Sequence, residues 1–156
     1  MGIEIERKYL VHNREWEILA QKSFELRQGY LSSSPDKTIR IRCSGDEAWI
    51  TLKNKAHNGL RKEFEYAIPL HDAIEMLHEW AADSLVHKTR YHVPFGGYLW
   101  EVDVFHGANE GLILAEIELP SVDTAFEKPS WLGEDVTEDH RYSNSNLSQH
   151  PFQSWS

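Results

Sequence analysis

The chain has 156 residues, of which 40% are hydrophobic and 12% aromatic, so it can bury one core and is expected to form a single domain over residues 1–156. Its net charge of −9 argues against a general nucleic-acid-binding surface, so a basic site has to be local and enclosed. The single cysteine, Cys43, excludes an intramolecular disulfide. Without a signal-peptide start or a long apolar run, the chain is expected to be cytoplasmic and free of membrane segments.

Most of the predicted elements are β-strands. In chain order, alternation and turn residues predict strands over residues 3–11, 24–31, 37–43, 48–55, 60–68, 84–94, 98–105 and 111–119. A short helix capped by Asn13 follows the first strand, and an amphipathic helix over residues 70–82 follows the fifth. Turns are expected at Ser32–Asp36, Ser44–Glu47, His57–Gly59 and Phe95–Gly97. Short helical or irregular pieces follow Pro120 and end in a polar tail, expected to be frayed from about residue 148.

Charged residues recur two positions apart in nearly every predicted strand. Side chains at i and i+2 share one face of a strand, so each strand has a charged face and an apolar face. The charged groups are Glu4-Glu6-Lys8, Arg40-Arg42, Lys53-Lys55, Arg61-Glu63-Glu65, Lys88-Arg90, Glu101-Asp103 and Glu116-Glu118. Lys55 lies at a strand end, so it is a weaker candidate for the charged face than Lys53. Arg61, unlike Lys62, is two positions from Glu63, so Arg61 is the residue expected to share the charged face with Glu63.

A sheet face in contact with solvent would also alternate, but it normally mixes opposite charges, because like charges side by side destabilise a sheet. Like charges are grouped here, which favours a functional face. Eight antiparallel strands can close into a barrel that holds one small ligand. The expected fold is therefore α+β and predominantly β: an eight-stranded antiparallel closed barrel with a charged bore, an apolar outer face and a few peripheral helices.

The two kinds of charge in this bore indicate phosphoryl chemistry. A multiply charged anion offsets the repulsion among several enclosed cations, and Arg and Lys both bind phosphate oxygens. Carboxylates are hard oxygen ligands that suit Mg²⁺ or Mn²⁺ held together with a phosphate substrate. The pattern predicts metal-assisted chemistry on a small polyphosphate.

The segment Glu4-Ile5-Glu6-Arg7-Lys8 resembles the Glu-x-Glu-x-Lys signature of the CYTH family, also called the triphosphate tunnel metalloenzymes. This motif is short, but the other charged groups follow in the family's order over nearly the whole chain. The segment from Trp131 to Leu147 is similar to the compact bacterial branch. The resemblance implies an eight-stranded tunnel that acts on a triphosphate with a divalent metal ion.

The resemblance also implies roles for individual residues. By this resemblance the catalytic metal would be bound by Glu4, Glu6 and Glu118, with Glu116 beside them. A second metal would lie near Glu63, Glu65 and Asp103, or these three residues would orient the basic residues. The phosphate-binding residues would be Lys8, Arg40, Arg42, Lys53, Arg61, Lys88 and Arg90. Tyr30 matches a family tyrosine that can neighbour the motif lysine, and the candidate catalytic residues are Lys8, Glu6, Glu63 and Tyr30.

The function favoured is hydrolysis of inorganic triphosphate by in-line attack of water on the terminal phosphorus. The alternatives are a class IV-like adenylyl cyclase, a thiamine or nucleoside triphosphatase and, outside enzymes, a polyphosphate or nucleotide binding module. The many carboxylates argue against pure anion binding. The sequence leaves open whether the protein is a monomer or a homodimer.

The nine histidines give little sign of a metal site. His71 and His78 lie seven positions apart on the predicted helix, and no His-Glu-x-x-His pattern is present. His87 and His92 are separated by an odd number of positions, so they do not share a strand face, and we expect edge or loop roles for them. Trp100 lies on the apolar face and is expected in the core.

Overall fold

The computed structural model describes residues 2–34, 36–55 and 60–155. Its main feature is an antiparallel sheet of nine strands: β1 (Gly2–Val11), β2 (Lys22–Ser33), β3 (Lys37–Ser44), β4 (Glu47–Asn54), β5 (Leu60–Ala67), β6 (Val86–Phe95), β7 (Tyr98–Phe105), β8 (Ile113–Glu118) and β9 (Leu132–Asp135). The eight predicted strands are all present, although β2 is longer than expected and β6 and β8 are shorter.

The first eight strands close into a barrel. They run in the order β5-β4-β3-β2-β6-β7-β8-β1, and a pairing between β5 and β1 joins the two ends. β1 pairs with β5 over residues 2–5 and with β8 over residues 6–10. The predicted closed barrel is therefore confirmed.

The ninth strand was not predicted. β9 pairs with the end of β1, at Tyr9 and Val11, and so lies outside the closed ring. It has four residues, which are too few for alternation to distinguish a strand from a loop.

The helices are peripheral, as expected. A 3₁₀ helix spans Glu15–Leu19, and Asn13 Oδ1 accepts a hydrogen bond of 2.9 Å from the backbone N–H of Glu15. α1 (Leu70–Trp80) packs on β3 through Ala73 and Leu77. The apolar stripe predicted for α1 is only partly buried, because Ile74 and Trp80 remain 55% and 72% exposed. None of the described helices has the length and apolar character needed to cross a membrane.

Much of the apolar core lies outside the barrel wall. Trp16, Trp100 and Trp131 are almost fully buried in one cluster on the outer face of β1, β6, β7 and β8. A smaller cluster beneath α1 contains Ile41, Ala48 and Ala73, with Cys43 packed against it. These outward-facing apolar residues leave the other face of each strand for the charged groups, as the alternation predicted.

One end of the barrel interior is apolar. Four apolar residues lie two positions from an inward-facing charged residue on the same strand, and so face inward too. They are Leu10 (from Lys8), Val86 (from Lys88), Phe105 (from Asp103) and Leu114 (from Glu116), and all four belong to one cluster. Tyr142 and Leu147, from the C-terminal segment, complete this cluster. The charged cavity is thus closed by apolar packing at this end.

The described part of the C-terminal tail, which the sequence predicts to be polar and frayed, makes packing contacts in the structure. α2 (Asn144–Gln149) contains buried Leu147 and Ser148. Trp155 makes an edge contact with Tyr142, with ring centroids 5.2 Å apart, and its Nε1 donates to the carbonyl of His150 at 2.9 Å. Three aromatic side chains, Tyr142, Phe152 and Trp155, provide this packing, and the serines of the tail form local hydrogen bonds.

Two of the predicted hairpin turns depend on glycine. Gly45 has φ 59°, and Gly96 and Gly97 have φ 62° and 81°, all in the left-handed region that glycine adopts without strain. The turn predicted at His57–Gly59, and Pro35 in the turn at Ser32–Asp36, lie outside the described residues.

Candidate active site

The inward-facing charged residues meet in one cavity of about 190 Å³ inside the barrel. All the predicted site residues except Asp103 line it: Glu4, Glu6, Lys8, Tyr30, Arg40, Arg42, Lys53, Arg61, Glu63, Glu65, Lys88, Arg90, Glu116 and Glu118. Arg61 lines the cavity and its neighbour Lys62 is exposed, so parity chose the right residue. Lys55 faces an adjoining surface cleft, as its lower rank anticipated.

The strand order sorts the two charges onto opposite walls. β8, β1 and β5 are neighbours in the ring, and they carry the six glutamates Glu116, Glu118, Glu4, Glu6, Glu63 and Glu65. β3, β2 and β6 are neighbours on the other side, and β3 and β6 supply Arg40, Arg42, Lys88 and Arg90. The first group is called the acidic wall and the second the basic wall. Lys8 and Arg61 are cations within the acidic wall, and Lys53 on β4 lies between the walls.

Glutamates are crowded on the acidic wall. Glu6 is directly opposite Glu118 in the β1–β8 register, and Glu116 is opposite Lys8. Burial, followed by the charges of Glu116 and Glu4, raises the pKa of Glu6 to about 8. Burial raises the pKa of Glu118 as well, with Glu4 and Glu101 adding to the effect. A divalent cation would relieve this repulsion, so the donor set fits a metal ion with oxygen ligands.

The pKa of Glu116 shifts in the opposite direction to that of Glu6, because cations surround Glu116. Burial would raise its pKa, but Lys8, Arg90 and Lys88 outweigh burial and hold the pKa well below its ordinary value. Arg90 Nη2 donates to Glu116 Oε1 at 3.2 Å. Glu116 is therefore ionised and joins the acidic wall to the basic wall.

Lys53 is held among the glutamates of β1 and β5. Its Nζ lies 3.1 Å from Glu4 Oε1 and 3.4 Å from Glu63 Oε2, and Glu63 is also its direct partner in the β4–β5 register. Arg61 Nε is 3.8 Å from the same Glu4 oxygen. Burial raises the pKa of Glu4, but Lys53, helped by Arg61, lowers it overall. Burial is the main cause of the raised pKa of Glu63.

Arg40 is buried on the basic wall with one part of its guanidinium unsatisfied. Its Nη2 donates to Thr51 Oγ1 at 3.2 Å and lies 3.5 Å from Glu65 Oε2, while Thr51 donates to the same carboxylate at 2.8 Å. The Nε of Arg40 is buried and has no hydrogen-bond partner within the described part of the chain. Buried donors are normally paired, so this one lacks a partner that such a group usually has.

Arg42 and Lys88 are linked through two amide side chains. Arg42 Nε donates to Gln28 Oε1 at 2.8 Å, and Gln28 Nε2 donates to Asn144 Oδ1 at 3.3 Å. Lys88 Nζ donates to the same Asn144 oxygen at 2.9 Å. Burial and the charges of Arg40 and Arg90 lower the pKa of Arg42 to about 9, and burial lowers that of Lys88 to about 7. An anion in the cavity would favour the charged form of both residues.

Asp103 does not reach the cavity. It is 1% exposed and lies inside the barrel, buried against the cations of the basic wall, where Oδ2 is 2.7 Å from Lys88 Nζ and Oδ1 accepts from Arg90 Nε at 2.8 Å. Arg90 and Lys88 hold its pKa below the ordinary value despite burial. Of the two roles expected for Asp103, this position fits the orientation of basic residues and does not fit ligation of a metal in the cavity.

Several lining residues were given no individual role from the sequence, although Glu101 belongs to one of the predicted charged doublets. Glu101 and Thr38 line the cavity, and Ser143, Asn144 and Ser145 reach it from the C-terminal segment. Lys8 Nζ donates to the backbone carbonyl of Tyr142, at 3.2 Å, in the same segment. Strand alternation cannot find residues that enter from a loop, and the similarity of the tail to a bacterial branch was the one sign of their importance.

Known proteins resemble this chain along nearly its whole length. The CYTH domain family matches residues 2–150. A protein of Acetivibrio thermocellus named inorganic triphosphatase is 43% identical over 155 residues, which cover 99% of each chain. A protein of Nitrosomonas europaea with the same name is 43% identical over 150 residues, 92% of this chain and 95% of the relative. A solved structure of an inorganic triphosphatase is 38% identical, with a TM-score of 0.67 and 95% of each chain covered.

Proposed function

Because the chain belongs to the CYTH domain family, we propose that it hydrolyses inorganic triphosphate to pyrophosphate and orthophosphate with the help of Mg²⁺ or Mn²⁺. The proposal rests mainly on the two facing walls of the cavity. A linear triphosphate needs cations along its length and a metal at the bond that breaks, and the strand order provides a basic wall opposite an acidic wall. The names of the 43% identical relatives support the same substrate.

The basic wall binds and orients the substrate. Arg40 and Arg42 donate to phosphate oxygens, and the buried Nε of Arg40, unpaired in the described chain, gains a partner. Lys88 and Arg90, both backed by Asp103, neutralise the phosphate chain from the adjoining strand. Binding in this way fixes the triphosphate before reaction, which is the main contribution of a protein to phosphoryl transfer.

The acidic wall holds the metal and orients water. Glu4, Glu6, Glu116 and Glu118 are the ligand candidates, and the proton that Glu6 carries below about pH 8 leaves when a cation binds. The metal, when bound, neutralises the charge that develops on the phosphate oxygens and makes water easier to deprotonate. We assign water orientation to Glu63, whose pKa is raised, or to Glu6. Water attacks the terminal phosphorus in line, the P–O bond to the next phosphate breaks, and pyrophosphate leaves.

The cavity favours an inorganic substrate over one with an organic base. Its volume is about 190 Å³, and among the described residues that line it Tyr30 is the one aromatic side chain. Pockets for nucleobases are normally apolar and aromatic over much of their surface. ATP and thiamine triphosphate would have to leave their organic part outside the charged region.

The test compares three substrates with one preparation. The chelator-treated protein is incubated with tripolyphosphate, ATP or thiamine triphosphate, each with Mg²⁺, with Mn²⁺ or without metal, and the products are identified. We expect orthophosphate and pyrophosphate from tripolyphosphate, with the highest kcat/KM, and no turnover without metal. Cyclic AMP from ATP would support a cyclase instead, and no turnover of any substrate would support a binding module.

Two variants connect the activity to the cavity. Lys8→Ala and Glu4→Ala should each remove most turnover while circular dichroism and thermal melting show a folded protein. Wild-type activity in both variants would contradict the proposed site.

A further inference from the structure

Three side chains with metal-binding groups converge on the outer surface of the barrel, away from the charged cavity. They are Glu25 on β2, His87 on β6 and His106 directly after β7, and their ligand atoms lie within 4.8 Å of one another. In the β2–β6 register, Leu26 is opposite Lys88, which lines the cavity, so Glu25 and His87 point to the other side of the wall. None of the three residues lines the cavity.

Hydrogen bonds already hold these three groups in place. His87 Nε2 lies 2.7 Å from Glu25 Oε2, and Thr89 Oγ1 lies 2.6 Å from Glu25 Oε1 and 2.7 Å from His106 Nε2. The backbone N–H of His106 donates to the carbonyl of His87 at 3.0 Å, which ties the loop to β6. Thr89 thus contacts both the carboxylate and one ring nitrogen of His106, and a metal ion at the other ring nitrogen would leave this supporting hydrogen bond intact.

We propose that Glu25, His87 and His106 bind a zinc ion on the outer wall of the barrel. Two imidazoles and one carboxylate form a protein ligand set known for zinc, in which the fourth position is left to water or another ligand. Ligand atoms around a tetrahedral zinc ion are about 3.3 Å apart, so the three groups, now within 4.8 Å of one another, would move closer together as the ion binds. This site does not depend on the proposed triphosphatase activity.

The chemistry distinguishes this site from the cavity. Imidazole nitrogens suit zinc and other first-row transition metals, whereas the all-oxygen acidic wall suits Mg²⁺ or Mn²⁺. Both oxygens of the Glu25 carboxylate are held by hydrogen-bonding groups, Oε1 by Thr89 and Oε2 by His87. The side chains of His87 and Glu25 are 37% and 63% exposed, which gives an ion direct access from solvent.

The alternative is that Glu25, His87 and His106 form a surface hydrogen-bond network that binds no metal ion. The pair His71 and Glu75 on α1 provides a matched control, because its atoms lie 3.1 Å apart but it has no third ligand among the described residues. If any exposed histidine beside a carboxylate collected zinc, this pair would do so too. The proposal requires that the three-residue site bind zinc and the two-residue pair not.

The test measures zinc binding to tag-free protein by calorimetry, in excess Mg²⁺ so that the cavity is saturated. We expect one zinc ion per chain, with affinity at least tenfold lower in His87→Ala and His106→Ala and unchanged in His71→Ala. Thr89→Val should weaken binding by about tenfold, as loss of a supporting hydrogen bond does in known sites. Cobalt substitution should add a visible absorption band that His106→Ala loses.

Two results would overturn the proposal. One is the absence of zinc binding by the wild-type protein under these conditions. The other is zinc binding that survives His87→Ala and His106→Ala and is lost in Glu6→Gln, which would place the ion in the cavity. If the alanine variants unfold, anomalous scattering at the zinc edge from wild-type crystals locates the ion. A peak between the three side chains would support the proposal, and its absence there would overturn it.

Discussion

Lys88 and Asp103 form an ion pair of 2.7 Å in which the side chains are 0% and 1% exposed. Asp103 also receives two hydrogen bonds from Arg90, at 2.8 and 2.9 Å, so one carboxylate pairs with two cations of the basic wall. A buried ion whose partner is removed is far more costly than a surface ion in the same position. The basic wall therefore depends on a residue that never touches the cavity.

Asp103→Asn should lower the free energy of unfolding by about 3–5 kcal/mol, because Lys88 and Arg90 lose a buried counterion. Urea unfolding followed by circular dichroism measures the change. Glu17→Gln is the control, since Glu17 is exposed and pairs with Arg14 at 2.8 Å on the surface, where such a pair is worth less than about 1 kcal/mol. Equal effects of the two substitutions would show that burial of the Asp103 pair contributes nothing.

Adjacent residues on β5 provide a second prediction. Arg61 lines the cavity, and Lys62 is exposed on the other face of the strand. Arg61→Ala should reduce kcat/KM for tripolyphosphate by about tenfold or more, as expected for loss of a charge-assisted hydrogen bond, whereas Lys62→Ala should have little effect. Steady-state kinetics at fixed ionic strength measure both. Similar losses in the two variants would mean that overall charge matters and the inward face does not.

The raised pKa of Glu6 predicts how pH changes the stability of the metal-free protein. The folded protein keeps a proton on Glu6 up to about pH 8, whereas the unfolded chain loses it near pH 4.5. Between these values the folded state binds more protons, so the contribution of Glu6 to the free energy of unfolding falls as pH rises.

Glu6→Gln should remove this contribution. The difference in free energy of unfolding between the variant and the wild type should be small near pH 4.5 and grow in favour of the variant up to pH 8, reaching a few kcal/mol at about 1.4 kcal/mol per pKa unit, and the difference in Tm should follow it. Thermal melts in chelator over this pH range test it, with the exposed Glu79→Gln as control. A pH-independent difference would show that Glu6 ionises normally. Added Mg²⁺ should raise the Tm of the wild type more than that of the variant.

The docked tail provides a fourth prediction. Trp155 contacts Tyr142 and Phe152 with ring centroids 5.2 and 5.3 Å apart, whereas Trp80 on α1 is 72% exposed. Trp155→Ala should cost about 1–3 kcal/mol through lost aromatic packing, and Trp80→Ala should cost less than about 0.5 kcal/mol. Chemical unfolding of both variants gives the comparison. An unaffected Trp155→Ala protein would restore the expectation of a frayed tail.

The lining of the cavity was largely predictable because strand alternation is a local property. Each charged doublet specified which side chains share a face, and the choice of Arg61 over Lys62 followed from parity with Glu63 alone. Residues that come together from separate segments were missed, because alternation describes only the residues of one strand. Asn144 enters from a helix, and Glu25, His87 and His106 come from three separate segments whose meeting no spacing in the sequence reveals.

The sequence by itself determined the strands, the charged face of each strand and the family, because these follow from period-two alternation and from motifs that are contiguous in the chain. The tertiary structure alone decided that β8, β1 and β5 join into one acidic wall opposite a basic wall, and that Asp103 is buried against the cations of the basic wall. It also decided that apolar packing closes one end of the barrel. These relations depend on which strands are neighbours and on how the chain ends dock, and both are set by contacts between residues far apart in sequence.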